Sequence, residues 1–136
     1  MKRKATAIWQ GSGKEGKGHL TAASSILNNA QYSYLSRFEQ GVGTNPEELV
    51  AAAHAGCFAM KLSFNLTDAG HVPEKLEATC EVTLADGKII SSVITLNATV
   101  AGIDEGKFGE LVKHAELNCP ISKSLNTEIS VNWTLN

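Results

Sequence analysis

The feature that most constrains this chain is a long apolar segment with a clear start and a clear stop. Asn45 suits a helix N-cap, and Pro46 suits the first helical position. Glu47 and its acidic neighbour lie in the first turn, where they complement the helix dipole. Gly70 suits the position after the last turn. We therefore predict a helix from Pro46 to about Asp68, and because its middle is apolar on nearly every face, protein should surround it.

Period-two patterns on either side of this helix predict strands. Alternating apolar residues from Leu76 to Leu84, followed by the turn signal Asp86-Gly87, indicate a β-hairpin. We expect an α+β fold, a single domain over residues 1–136, in which antiparallel sheets wrap around the long buried central helix. Strands are predicted over 4–9, 19–25, 32–39, 76–84, 88–100 and 127–135, and further helices over 103–117 and 120–125.

Composition narrows the class of protein. The chain has 136 residues, of which 43% are hydrophobic and 19% charged, with a net charge of −2. The chain therefore lacks the excess of positive charge that is typical of a nucleic-acid-binding protein. Polar residues interrupt the apolar helix, and no apolar leader follows Met1, so we expect neither a membrane span nor a signal peptide. Three cysteines without a CxxC pair predict a cytoplasmic protein with reduced thiols and no metal site.

A glycine-rich segment near the N-terminus imitates phosphate-binding motifs. Residues 11–16 fit G-x-G-x-x-G, and residues 11–17 fit the start of a P-loop. Gly18 stands where a P-loop needs Ser or Thr, and a strand pattern follows instead of a helix. We interpret the segment as a hairpin loop.

The three cysteines differ in their surroundings. Cys57 lies among apolar residues in mid-helix, where it is either a small core residue or a nucleophile whose thiolate needs support. Cys119 precedes Pro120, which predicts the N-cap of a short helix, where a thiolate is favoured; the alternative is an ordinary loop thiol. Cys80 alternates with apolar residues on a strand and is interpreted as packing.

Residues 43–60, with the sequence GTNPEELVAAAHAGCFAM, closely resemble the peroxidatic helix of the OsmC family, relatives of the organic hydroperoxide resistance proteins. The resemblance continues upstream through SRFE at residues 36–39 and downstream through NCPIS at residues 118–122, and it covers essentially the whole chain. It implies an OsmC-like fold and a thiol-dependent peroxidase for organic hydroperoxides and, less well, hydrogen peroxide. It also implies a role in oxidative and osmotic stress defence.

The resemblance also implies roles for individual residues. Cys57 would be the peroxidatic cysteine, and Cys119 would resolve its sulfenate as an intramolecular disulfide. Arg37 would stabilise the Cys57 thiolate, and Glu47 would orient Arg37. No cofactor is implied, only an external thiol reductant, which the family suggests is a lipoyl-type dithiol. Candidate substrate-lining residues are Phe38, Phe58 and Met60.

Helix geometry adds an expectation about assembly. Glu47 and Cys57 are ten residues apart on one helix, a rise of about 15 Å, and they point in different directions. If both act at one site, Glu47 should come from a partner chain. We therefore expect an intertwined two-fold homodimer.

Two other functions fit parts of the pattern. Cys57 and His54 share a helix face, which would suit a hydrolase or transferase, although no third orienting residue is visible. Alternatively, the chain is a structural dimer whose cysteines all belong to the core.

Overall fold

The computed structural model describes all 136 residues, which form two compact units, Met1–Leu49 and Val50–Asn136. The α+β class is confirmed, with two three-stranded sheets. The expectation of a single domain stays a prediction.

The first unit holds an antiparallel sheet of β1 (Ala5–Gln10), β2 (Lys17–Ala22) and β3 (Ala30–Tyr32), in that order. The glycine-rich segment is the loop that joins β1 to β2, as predicted.

The strand predicted over residues 32–39 is wrong, because α1 (Tyr34–Phe38) occupies most of this segment. A capping box starts the helix: the Ser36 N–H donates to Ser33 Oγ at 3.2 Å, and the Ser33 N–H donates to Ser36 Oγ at 2.9 Å. These two local hydrogen bonds satisfy N–H groups that a strand would have left to a neighbouring strand. The alternation of Tyr32, Tyr34 and Ser36 with Leu35 and Arg37 therefore does not mark a strand.

The long helix, α2, runs from Pro46 to Asp68 as predicted. The Glu48 N–H donates to Asn45 Oδ1 at 2.8 Å, which confirms the N-cap. The Glu48 carboxylate accepts from the Thr44 hydroxyl at 2.8 Å. After the last turn, Gly70 has φ +89°, a conformation that favours glycine, and ends the helix.

The second unit contains β4 (Lys75–Ala85), β5 (Lys88–Thr99) and β6 (Glu128–Leu135). Asp86 and Gly87 both have positive φ, as the predicted hairpin turn between β4 and β5 requires. The sheet is not wholly antiparallel, however, because β6 pairs parallel to β5. The connection through α3 (Glu105–Asn118) and α4 (Pro120–Ser124) returns the chain to the starting end of β5, as a parallel crossover requires.

The hydrophobic core of the second unit lies between its helices and its sheet. One face of α2 is buried there, and α3 covers the same core with Phe108, Val112 and Ala115. By length and composition alone α2 could cross a membrane, but its buried face packs as a core helix does. The buried α2 residues are His54, Phe58, Leu62 and Leu66.

The opposite face of α2 is open in the single chain, so the expected burial on nearly every face is not found there. Small residues and two large apolar ones share this face. We call it the open stripe; its exposed members are Ala52, Ala53, Gly56, Met60 and Phe64.

Candidate functional site

Cys57 and Cys119 lie in the second unit, where Cys57 packs against the core that contains Cys119. Cys57 is half-buried in the middle of α2, while Cys119 is fully buried where α3 ends and α4 begins. Burial raises the pKa of the Cys57 thiol, as does the nearby Cys119 side chain, while the Ile121 backbone lowers it; the net shift is upward. In the single chain Cys57 is therefore protonated at neutral pH and needs further support to act as a thiolate.

Cys119 occupies the N-cap of α4, as predicted. Its Sγ accepts from the Ser122 N–H at 3.3 Å and lies 3.0 Å from Ser122 Oγ. Pro120 follows in the first helical position and has no N–H to satisfy. The cysteine sulfur thus takes the role that a serine or aspartate oxygen usually has at a helix start.

His54 is fully buried, and serines flank both of its ring nitrogens. Nδ1 lies 2.6 Å from Ser92 Oγ on β5, and Nε2 lies 2.8 Å from Ser122 Oγ on α4. Burial lowers the pKa of His54, so the ring is neutral near pH 7. Because both nitrogens are engaged with serines, the structure does not support the Cys57–His54 pair that a hydrolase or transferase would need.

Sequence reasoning missed Ser92 and Ser122. Both are buried polar side chains. Ser122 stands three residues after Cys119, the spacing of an N-cap and its partner, and this was the one local signal available. Nothing local connects Ser92 to His54, which is 38 residues away.

Cys80 packs against the hydrophobic core from β4, in agreement with its predicted packing role. Its Sγ also lies 3.2 Å from Ser92 Oγ and 3.9 Å from His54 Nδ1. Burial raises the pKa of this thiol more than the hydrogen bond from Ser92 lowers it. Cys80 is therefore a protonated neighbour of the His54 cluster.

Arg37 and Glu47 form a bidentate ion pair within the first unit. Arg37 Nη2 and Nε donate to Glu47 Oε1 at 2.7 and 2.9 Å, which joins the last turn of α1 to the first turn of α2. Hydrogen bonding to Glu47 raises the pKa of Arg37. Burial alone would raise the pKa of Glu47, but hydrogen bonds from Arg37 and the backbone and the charge of Arg37 lower it overall. The ion pair thus holds the planar guanidinium of Arg37 in one orientation at the surface.

Phe38 lies beside this ion pair, with the Arg37 guanidinium 4.9 Å from the centre of its ring. Both residues line a cavity of about 270 Å³, together with Trp9, Tyr32 and Tyr34. The cavity is mostly aromatic and belongs entirely to the first unit.

The other two candidate lining residues have different surroundings. Met60 is 65% exposed on the open stripe. Phe58 is fully buried in the core of the second unit. The expectation that Phe58 lines a substrate pocket is corrected: it lies on the buried α2 face with Leu62 and has no accessible surface.

Two cysteines that share one core on an α+β fold, one of them at a helix N-cap, are an arrangement typical of thiol redox proteins. No group of three or more His, Cys, Asp or Glu side chains is arranged to hold a metal ion.

The chain belongs to the OsmC-like family, whose family model, described as OsmC-like protein, matches residues 39–134. It is 40% identical to the peroxiredoxin OsmC of Escherichia coli (strain K12), over 98% of this chain and 96% of that protein. It is 35% identical to the organic hydroperoxide resistance protein of Xanthomonas axonopodis pv. citri, over 70% of this chain and 68% of that protein.

Solved structures confirm the OsmC-like fold. The OsmC like protein of Mycoplasma pneumoniae matches with a TM-score of 0.77 at 14% identity, covering 99% of this chain and 97% of its own. The organic hydroperoxide resistance protein OhrB of Bacillus subtilis matches with a TM-score of 0.67 at 26% identity, covering 98% of each chain.

Proposed function

We propose that this protein is a thiol-dependent peroxidase that reduces organic hydroperoxides and, less well, hydrogen peroxide. The observation that carries the proposal is that Cys57 on α2 packs against the buried core that contains Cys119, which lies at the N-cap of α4. The names of its relatives, peroxiredoxin OsmC and organic hydroperoxide resistance protein, support the same activity. We infer a cytoplasmic role in defence against oxidative and osmotic stress.

The proposed reaction has three steps and uses no cofactor. The Cys57 thiolate attacks the terminal peroxide oxygen, the O–O bond breaks, and the alkoxide takes up a proton and leaves as the alcohol. Cys57 is then a sulfenic acid, with which Cys119 condenses to form a disulfide and water. An external thiol reductant, such as a lipoyl-type dithiol, reopens the disulfide by thiol–disulfide exchange.

The first step needs a positive group near Cys57, since burial raises the pKa of its thiol. We propose that Arg37, whose guanidinium is held in place by Glu47, stabilises the Cys57 thiolate. Arg37 and Glu47 of one chain are paired with each other, so they would act together. We propose that the pair reaches Cys57 of a partner subunit in a two-fold homodimer.

Two observations support a second copy of the chain. The open stripe on α2 combines small residues, which permit close helix packing, with the exposed side chains of Met60 and Phe64. In addition, no apolar side chain in residues 1–49 is buried, so the first unit has no hydrophobic core of its own. A small three-stranded sheet needs a packed face to be stable, and a partner chain would supply one.

Organic substrates suit the aromatic cavity beside Arg37. We propose that Phe38 contributes to peroxide binding there and that Met60, on the open stripe, lines the same pocket across the dimer. Aromatic and thioether side chains offer apolar contact to the carbon chain of an organic hydroperoxide. Hydrogen peroxide has no such chain, which is the reason to expect it to react less well.

Mass spectrometry after one equivalent of cumene hydroperoxide tests the proposed function. We expect the intact mass to fall by two hydrogens, about 2 Da, with a peptide map that joins Cys57 to Cys119, because disulfide formation removes both thiol hydrogens. Cys119→Ser should turn over once and then gain sulfinic oxygen at Cys57. Cys80→Ser is the matched control and should keep the wild-type pattern. Unmodified thiols, or a disulfide that includes Cys80, would contradict the proposal.

A further inference from the structure

His54, Ser122 and Cys119 form a continuous chain of hydrogen-bonding atoms that the peroxide chemistry does not by itself explain. His54 Nε2 lies 2.8 Å from Ser122 Oγ, which lies 3.0 Å from Cys119 Sγ. All three side chains are buried, and those of His54 and Cys119 are fully so. A buried thiol that must lose its proton needs a group that accepts the proton. Water cannot reach the fully buried Cys119 sulfur to do so.

We propose that Ser122 and His54 form a proton relay that activates the resolving cysteine, with His54 as the terminal proton acceptor. This inference rests on the proposed function, because it concerns the second step, in which Cys119 attacks the Cys57 sulfenic acid. It assigns Ser122 as a catalytic residue, since its hydroxyl touches the reacting sulfur, and His54 as the residue that acts through it.

The hydrogen-bonding capacities of the groups fit one direction of transfer. A neutral histidine has one N–H and one lone pair. If Nδ1 carries the hydrogen, it donates to Ser92 Oγ, and Nε2 accepts from the Ser122 hydroxyl. The Ser122 oxygen is then free to accept from the Cys119 thiol. Ser92 would fix this tautomer, as the partner of a catalytic histidine usually does.

The step balances in atoms and charge. The Cys119 proton moves to Ser122 Oγ while the Ser122 hydroxyl proton moves to His54 Nε2. The sulfur–sulfur bond to Cys57 forms and its sulfur–oxygen bond breaks. The proton held by His54 returns through Ser122 to the departing hydroxide, which leaves as water, so the ring is neutral again and no proton has to leave the buried cluster.

The surroundings of Cys119 offer two hydrogen-bond donors to the thiolate that this transfer creates. After the transfer, the Ser122 hydroxyl donates to the sulfur, as its backbone N–H already does at 3.3 Å. Near neutral pH His54 is uncharged because burial lowers its pKa, so its lone pair is available to accept the proton. The other thiol near the ring, Cys80, remains protonated.

Stopped-flow mixing with cumene hydroperoxide, followed by rapid quenching, trapping of sulfenic acid and mass spectrometry, separates the two steps. In His54→Gln the amide can still bond to Ser122 but cannot take up the proton. We expect it to slow disulfide formation by about 100-fold, the lower end for general acid–base catalysis, with sulfenic acid accumulating at Cys57. Ser122→Ala should have a similar effect, and the double variant should be little slower than either single one.

Two controls separate a relay from structural damage. Ser124→Ala changes another serine of α4, whose hydroxyl donates to the Pro120 carbonyl, and it should keep the wild-type rate of disulfide formation. An external thiol should resolve the Cys57 sulfenic acid of His54→Gln as fast as that of Cys119→Ser, since it bypasses Cys119.

Each outcome decides between the two proposals. Disulfide formation in His54→Gln within threefold of the wild-type rate would overturn the relay and leave the peroxidase intact. Additive losses in the double variant would also overturn it. If the wild-type protein itself forms no Cys57–Cys119 disulfide, the proposed function fails first. Should His54→Gln not fold, Ser122→Ala alone, compared with Ser124→Ala, decides the result.

Discussion

Neighbouring thiols in this chain have unequal surroundings. Cys57 is half-buried, and its pKa is raised, chiefly by burial. Cys119 is fully buried, but its sulfur accepts a backbone N–H and contacts a hydroxyl that leads to His54. The first thiol therefore depends on a charged partner such as Arg37, while the second has a hydrogen-bonded route for its proton. This asymmetry suits an attacking and a resolving cysteine.

At the residue scale, Glu47→Gln tests the orientation of Arg37. An amide offers one acceptor in place of two and no charge, so the guanidinium fork loses its bidentate partner. We expect the rate constant for the reaction of Cys57 with cumene hydroperoxide, measured by stopped flow, to fall about tenfold. The stability cost should stay below about 1 kcal/mol, since the Arg37 side chain is 39% exposed.

The adjacent acidic residue provides the matched control for this test. Glu48 carries the same charge in the same helical turn, but its carboxylate bonds to the Thr44 hydroxyl. Glu48→Gln should therefore leave the rate constant within about twofold of wild type. Equal losses in both variants would show that only the charge of the helix N-terminus matters, and the orienting role of Glu47 would be abandoned.

At the element scale, Gly70 should respond differently to alanine and to asparagine. Gly70 has φ +89° and open space around its α-carbon, so Gly70→Ala costs only backbone strain, about 1 kcal/mol of the free energy of unfolding. Asparagine adopts positive φ more readily than alanine, so Gly70→Asn should cost less. Urea denaturation measures both, and equal losses in the two variants would refute this account of the helix end.

At the scale of the whole molecule, the open stripe on α2 predicts the oligomeric state. Light scattering should give a mass of about 29 kDa, twice the 14.4 kDa of one chain. Met60→Glu would place a charge at the centre of an apolar contact, so we expect it to shift the protein toward monomer and to reduce peroxidase activity. Leu117→Glu on α3, where the side chain is similarly exposed at 59%, should remain dimeric. A fully active wild-type monomer would disprove the dimer.

Stability should also depend on pH through His54. Because burial lowers the pKa of the folded-state ring, the unfolded chain binds the proton more readily. Stability is therefore fully present above the ordinary histidine pKa of about 6.5 and is lost progressively as the pH falls below it. We expect the Tm to fall as the pH is lowered below about 6.5, with a smaller fall in His54→Gln. Parallel curves for the two proteins would show that other groups cause the loss.

Local chemistry in the sequence was sufficient to determine most elements of this protein. The N-cap of α2, the turn at Asp86-Gly87 and the N-cap at Cys119 depend on residues within a few positions of each other, so they can be recognised without a structure. The family pattern around Cys57 and Cys119 could be recognised for the same reason, because it consists of closely spaced motifs.

Only the tertiary structure decided how distant segments meet. The parallel pairing of β6 with β5 depends on where a crossover returns the chain, which alternation along a strand does not encode. Likewise, Ser92, His54 and Ser122 come from three separate elements, and each alone is an unremarkable polar residue. Packing brings these three distant residues into contact, so their hydrogen bonds could be recognised only in the tertiary structure.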